Sequence, residues 1–171
     1  IDKEAQHYNH HKCHAVSSYY FSSFAYAEDA LSFTIDGYGD HIFSSLYKCS
    51  KENKIELIAE SPAEFVKKGK KMYFCSVPFV YSEFTAALGF IRNSDEGKVE
   101  ALAALGKIDE SLSQELDSIV SFNDNMICLD KNKIDKFYDQ EYLKFLINKI
   151  GRENFACSIQ NWLEKTVVDY L

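Results

Sequence analysis

The sequence predicts a mixed α/β fold: a three-stranded antiparallel meander followed by packed helices. Three observations carry that expectation. Residues 30–35 alternate in character and run into Asp36-Gly37, the pattern of a strand feeding a turn. Two more strand-like runs, 41–49 and 54–60, follow with only the polar turn Ser50-Lys51-Glu52-Asn53 between them. Downstream of Pro78 the apolar residues recur at the helical period instead.

Taken in order, residues 4–26 contain no Pro or Gly and carry Ala5, Tyr8, His11, Ala15 and Tyr19 at mixed apolar spacing, so a helix is placed over about 9–21. The meander strands come next. Phe84, Ala87, Leu88 and Ile91 form a helical stretch, weakened slightly by Gly89. Asp95-Glu96-Gly97 opens a second helix over 98–105, with Gly106 as its C-cap. Residues 109–125 are polar and read as a helix and a loop, and 126–129 as a short strand. A helix over 138–150 closes at Gly151, and Phe155, Ile159, Trp162, Thr166 and Tyr170 mark a last amphipathic helix. There is no internal repeat and no low-complexity tract.

Composition narrows the function classes. A chain of 171 residues suffices for a single domain over 1–171 with a sizeable core. The net charge of −7 argues against a broad nucleic-acid interface, which needs clustered Lys and Arg. The one basic cluster, Lys67-Lys68-Gly69-Lys70-Lys71, reads as a solvated turn. No run approaches the roughly 18 apolar residues of a membrane span. No signal peptide pattern is present. Five widely spaced cysteines, Cys13, Cys49, Cys75, Cys128 and Cys157, suit reduced thiols and a cytoplasmic location better than a disulfide framework. The chain starts with Ile and ends within an apolar-periodic stretch, so it is expected to be a piece of a longer protein, cut at both ends.

Three stretches carry chemistry. In His10-His11-Lys12-Cys13-His14, histidines four apart share one helical face and can hold a metal together with a carboxylate. Spacing alone does not choose His10/His14 over His7/His11, and such a pair is more often a surface coincidence or a satisfied core pair than a metal site. Asp36-Gly37-Tyr38-Gly39-Asp40 reads as a hairpin turn whose Asp and Gly serve positive φ angles. The same geometry also suits a loop whose backbone N–H groups face a phosphate while a carboxylate orients a cation. Asn93 to Gly106 reads as an ordinary capped helix, with Lys98 able to add charge at an anion-attracting N-terminus.

Together and in this order, the stretches resemble the carbamoyltransferase family related to the nodulation and antibiotic O-carbamoyltransferases. The family pattern His-His-x-x-His-Ala reads here as His10-His11-Lys12-Cys13-His14-Ala15, and Asp-Gly-x-Gly as Asp36-Gly37-Tyr38-Gly39. The Ser-x-Glu-x-Lys stretch reads as Ser94-Asp95-Glu96-Gly97-Lys98, leading into Leu102-Ala103-Ala104-Leu105-Gly106. Phe84-Thr85 to Leu88-Gly89-Phe90 also matches the family's Phe-Thr-x-x-Leu-Gly-Phe. The likeness runs from residue 7 to 106 and more weakly to the end.

That resemblance implies an actin-like ATPase (ribonuclease H-like) fold, of which this chain would be a central fragment of the N-terminal catalytic domain. It implies a divalent metal, iron or zinc, on His10, His14 and Asp36, and nucleotide phosphates beside Gly37 and Gly39, with Asp40 on the cofactor side. It implies ATP-dependent activation of carbamoyl phosphate to a carbamoyl adenylate and transfer to the hydroxyl of a small-molecule acceptor. Lys98 becomes the candidate for contacting the phosphate or carbamoyl region, with Glu96 behind it. Neither nucleic acid nor membrane is an expected partner, and there is room for a homo-oligomer in the full-length protein. The family's Gly and Pro in Met-Gly-Leu-Ala-Pro-Tyr-Gly are replaced here by Ala101 and Ala104, and its later adenosine-side motif is absent. A fourth metal ligand would therefore lie outside this stretch, and the piece alone is expected to be inactive. Two other readings are another actin-like phosphotransferase, which would lack the helical histidine pair, and a non-catalytic interaction module.

Overall fold

The structure is a computed structural model, and it describes residues 7–69 and 71–171. The backbone gathers into two compact units, Ile1–Ala63 and Glu64–Leu171. Sheet pairing closes within residues 30–62 and starts afresh at Glu64.

The first unit holds helix α1 (His10–Tyr20) and strands β1 (Ala30–Gly39), β2 (Ile42–Cys49) and β3 (Ile55–Pro62). The sheet order is β1-β2-β3 and all pairs are antiparallel, the expected meander. One expectation needs correction. The turn does not fall at Asp36-Gly37, because β1 continues to Gly39 and the reversal is made by Asp40-His41. Those two residues have φ of 52° and 69° between the paired Gly39 and Ile42, the signature of a two-residue type I′ hairpin. Neither Gly37 nor Gly39 has a positive φ. Asp can take the left-handed conformation through local hydrogen bonding, so the turn does not need the glycines.

Helix α1 starts at an Asn9 N-cap whose side chain accepts from Lys12 N at 2.7 Å. It buries a stripe of His11, Ala15 and Tyr19, one residue per turn. Ala15 and Tyr19 form a small core with Tyr47 and Cys49, bordered by Tyr20, Ala30 and Ile55. Polar pins supplement this thin apolar contact: Ser32 Oγ donates to Ala15 O at 3.2 Å, and Ser18 Oγ lies 2.7 Å from Ser32 Oγ.

The second unit contains two hairpins, β4 (Glu64–Lys68) with β5 (Lys71–Cys75) and β6 (Val120–Asn123) with β7 (Met126–Leu129). Its helices are α2 (Val77–Ala87), α3 (Glu96–Ala103), α4 (Glu110–Asp117), α5 (Lys131–Ile134), α6 (Gln140–Ile150) and α7 (Arg152–Tyr170). The β4–β5 hairpin was not expected, because the lysine cluster hides the strand alternation around it. Gly69 does occupy the connection at φ 63°, but Lys67, Lys68 and Lys71 belong to the paired strands, so the basic cluster is only in part a turn. Helix α2 starts earlier than its apolar period suggested, since Ser76 caps it and Pro78 sits in its first turn. Gly106 is not a left-handed cap. A Cβ there would meet the backbone of Glu153 and Asn154, so glycine is needed for close approach to the start of α7. The core centres on Phe84, whose ring meets those of Phe137, Phe155 and Trp162 edge-on at 5.6, 5.7 and 6.1 Å. None of the five cysteines is in a disulfide. Among the described residues no helix is long and apolar enough to cross a membrane.

Candidate metal centre

Strand β1 offers alternate residues to α1, and on that face stand Ser32, Thr34 and Asp36, all polar. Thr34 meets His11, and Asp36 meets His10 one step further along. The helix side is organised by the same logic. His11 lies on the buried stripe of α1, while His10 and His14 lie one residue round the helix, at the edge of its contact with the sheet.

His11 is fully buried. Its Nε2–H donates to Ile42 O at 3.3 Å, so its Nδ1 accepts from Thr34 Oγ1 at 2.7 Å. Thr34 Oγ1 in turn lies 2.6 Å from Ser45 Oγ. Burial pushes the His11 imidazole below its ordinary pKa, partly opposed by the Ile42 carbonyl. Both ring nitrogens are occupied, which removes His11 from the ligand candidates. His7 is exposed. Of the two histidine pairs, His10 and His14 are the one with ring nitrogens close to a carboxylate.

His10, His14 and Asp36 come together so that one donor atom from each lies within 4.8 Å of the others. His10 Nε2 is 2.6 Å from Asp36 Oδ2 and 3.1 Å from His14 Nε2, and His14 Nε2 is 3.6 Å from Asp36 Oδ2. A tetrahedral cation bonded at about 2.0–2.2 Å asks for roughly 3.3 Å between donors. Two of the three separations bracket that value, and the third is a hydrogen bond that a small side-chain movement would open. Side-chain exposures of 43% for His10, 56% for His14 and 40% for Asp36 leave the donor set open to solvent on one side. Two imidazoles and one carboxylate suit zinc or iron, so the residues present fit such a cation.

Asp36 is held at both oxygens, since Gly37 N donates to its Oδ1 at 2.6 Å. Burial alone would raise its pKa, but the hydrogen bonds from His10 and Gly37 and the nearby imidazoles outweigh that and hold it below the ordinary carboxylate value. The carboxylate is therefore ready as an anionic ligand. A cleft of about 500 Å³ adjoins the donors, lined by His14, Ser18, Phe33, Thr34, Ile35 and Asp36.

The remaining candidates are placed as follows. Gly37 and Gly39 lie in β1, and Asp40 begins the hairpin turn. Asp40 Oδ2 accepts from His10 N at 2.6 Å. Gly39 lies against the His10 ring, where a Cβ would come within 2.6 Å of Cγ. Glu96 and Lys98 belong to the second unit. There Glu96 Oε1 accepts from Asn93 N at 2.7 Å and Ser82 Oγ at 3.1 Å, and Lys98 Nζ pairs with Asp95 at 2.9 Å. The sequence reading missed the Gly39–His10 fit and the role of Thr34. The polar triplet at alternate positions 32, 34 and 36 was the available signal.

Residues 1–171 match the family described as carbamoyltransferase N-terminus, and the chain belongs to it. Among curated proteins the chain is similar to Uncharacterized protein MJ1058 of Methanocaldococcus jannaschii, at 41% identity over 178 residues. The match covers 99% of this chain and 28% of that protein. The chain thus spans less than a third of its curated relative's length.

Proposed function

We propose that this chain supplies the metal-bearing part of an ATP-dependent carbamoyltransferase, and that the metal is iron or zinc held by His10, His14 and Asp36. The observation that supports the reading most is the convergence of these three donors from helix α1 and strand β1, among five histidines that could have paired otherwise.

In the full-length protein, carbamoyl phosphate loses its phosphate to water, and the carbamate so formed attacks the α-phosphorus of ATP to give a carbamoyl adenylate and release pyrophosphate. The hydroxyl of a small acceptor then attacks the carbamoyl carbon and AMP leaves. The metal's contribution is to offset negative charge on the phosphate of the adenylate. The nucleotide phosphates run beside the backbone of Gly37 and Gly39, on the side of Gly39 away from the His10 ring. By the family pattern, Lys98 and, behind it, Glu96 at the start of α3 are the candidates for contacting a phosphate or carbamoyl group. Neither nucleic acid nor membrane is a partner, and the reduced thiols suit the cytoplasm. Residues beyond this stretch complete the metal's coordination and the adenosine side, so catalysis belongs to the full-length protein.

The test is isotope exchange between pyrophosphate and ATP in the full-length protein. Exchange that requires carbamoyl phosphate, and that His10→Ala or Asp36→Asn abolishes, supports the reading. Exchange indifferent to carbamoyl phosphate rules out the reaction class.

A further inference from the structure

We infer that Asp40 is a positioning residue for the metal ligand His10, and that residues 36–40 form a cradle for that histidine. The inference rests on the metal reading above.

His10 is the first residue of α1, the position where a helix is least held by its own hydrogen bonds. The Asn9 cap spends its side chain on Lys12 N and leaves His10 N to another acceptor. That acceptor is Asp40 Oδ2, at 2.6 Å. The other end of the same residue, Nε2, donates to Asp36 Oδ2, also at 2.6 Å. Two carboxylates at the two ends of one short stretch therefore grip His10 by its backbone and by its ring. Between them Gly39 has no Cβ, and the ring fills that space. Gly37 N fixes the remaining oxygen of Asp36. Tyr38 completes the turn, its hydroxyl 2.8 Å from His41 Nδ1.

The motif that reads as a phosphate loop in sequence thus orders a metal ligand. Asp40 lies outside the donor group, which among the described residues is His10, His14 and Asp36. Its charge also complements the positive end of the α1 dipole. Groups that orient metal ligands in this way typically control affinity by 10–100-fold. His14, one turn further into the helix, does not depend on the same bond.

The test is zinc affinity of the full-length protein, measured by competition with a chromophoric chelator, for wild type, Asp40→Gly, Asp40→Asn and His10→Ala. Far-UV circular dichroism and the urea midpoint of each metal-free protein are recorded alongside. Glycine keeps the left-handed backbone of position 40 without strain and removes the acceptor. Asparagine keeps both the backbone preference and an acceptor oxygen. Asp40→Gly is expected to bind zinc about 10–100-fold more weakly, with Asp40→Asn restored close to wild type. Wild-type affinity in Asp40→Gly overturns the inference alone, and so does equal loss in Asp40→Asn, which would make the charge itself the ligand. If Asp40→Gly does not fold, Asp40→Asn still decides by the same criterion. Failure of wild type to bind zinc, or wild-type affinity in His10→Ala, overturns the metal reading and this inference with it.

Discussion

Gly39 lies directly beneath the imidazole of His10. A Cβ added at Gly39 would come within 2.6 Å of His10 Cγ and 3.0 Å of its Nε2. The smallest side chain at that position would push the His10 ring away from Asp36 and His14. Gly39→Ala is therefore expected to weaken zinc binding at least tenfold and to cost about 1–3 kcal/mol of stability through overpacking. A chelator-competition titration with a urea unfolding curve reads both. Unchanged affinity would show that the ring relaxes freely.

The four histidines near α1 divide by role. His10→Ala and His14→Ala are expected to abolish metal retention, and His7→Ala to leave it intact. His11→Ala keeps the donors but leaves the Ile42 carbonyl and Thr34 without their partner in a buried site, at a cost of about 2–4 kcal/mol. Elemental analysis of the purified full-length variants, with denaturation midpoints, distinguishes these outcomes. Metal loss confined to His7→Ala and His11→Ala would refute the site assignment.

Phe84 is fully buried and contacts three aromatic rings in the second unit. Its truncation to Ala removes all three edge-to-face contacts and leaves a cavity, for an expected loss of about 3–5 kcal/mol. Phe84→Leu keeps most of the volume and should lose well under half as much. Equilibrium unfolding in urea is the measurement, and equal costs for the two variants would contradict the packing argument.

Alkaline pH should destabilise the protein. Burial pushes the Cys75 thiol up to about 11 from 9.0. Burial and the hydrogen bond to Asp135 push the Tyr73 hydroxyl up to about 12 from 10.0. Both groups are acids whose folded pKa lies above the unfolded one. The unfolded chain therefore releases these protons first, and their contribution is complete below pH 9 and lost as pH climbs from 9 towards 12. Thermal midpoints should fall progressively over that range. At pH 8 an aromatic disulfide reagent should react with exposed Cys13 and spare Cys75 in the native state. Rapid modification of Cys75 would place it in a more open environment.

Much of the architecture is legible in the sequence because it follows from local periodicity. Alternation marks the three meander strands, and the 3.6-residue period marks α6 and α7, whose capping Asp139 and Gly151 stand at their boundaries. The β4–β5 hairpin is illegible because its run of lysines around Gly69 gives no alternation of apolar and polar residues. Glycine misleads at positions 37, 39 and 106. It signals a turn in sequence, but at 39 and 106 it is required for space, a property of what lies opposite rather than of the chain itself.

The sequence by itself determined most of the elements, the family, and the short set of residues whose chemistry suits a metal. Those properties depend on residue type and spacing. Only the tertiary structure decided which histidines face a carboxylate, because the rotation of α1 on the sheet buries His11 against Thr34 and turns His10 and His14 towards Asp36. It also gave Asp40 and Gly39 their places around His10. Their roles come from contacts between a helix and a hairpin turn that the local pattern of neither one contains.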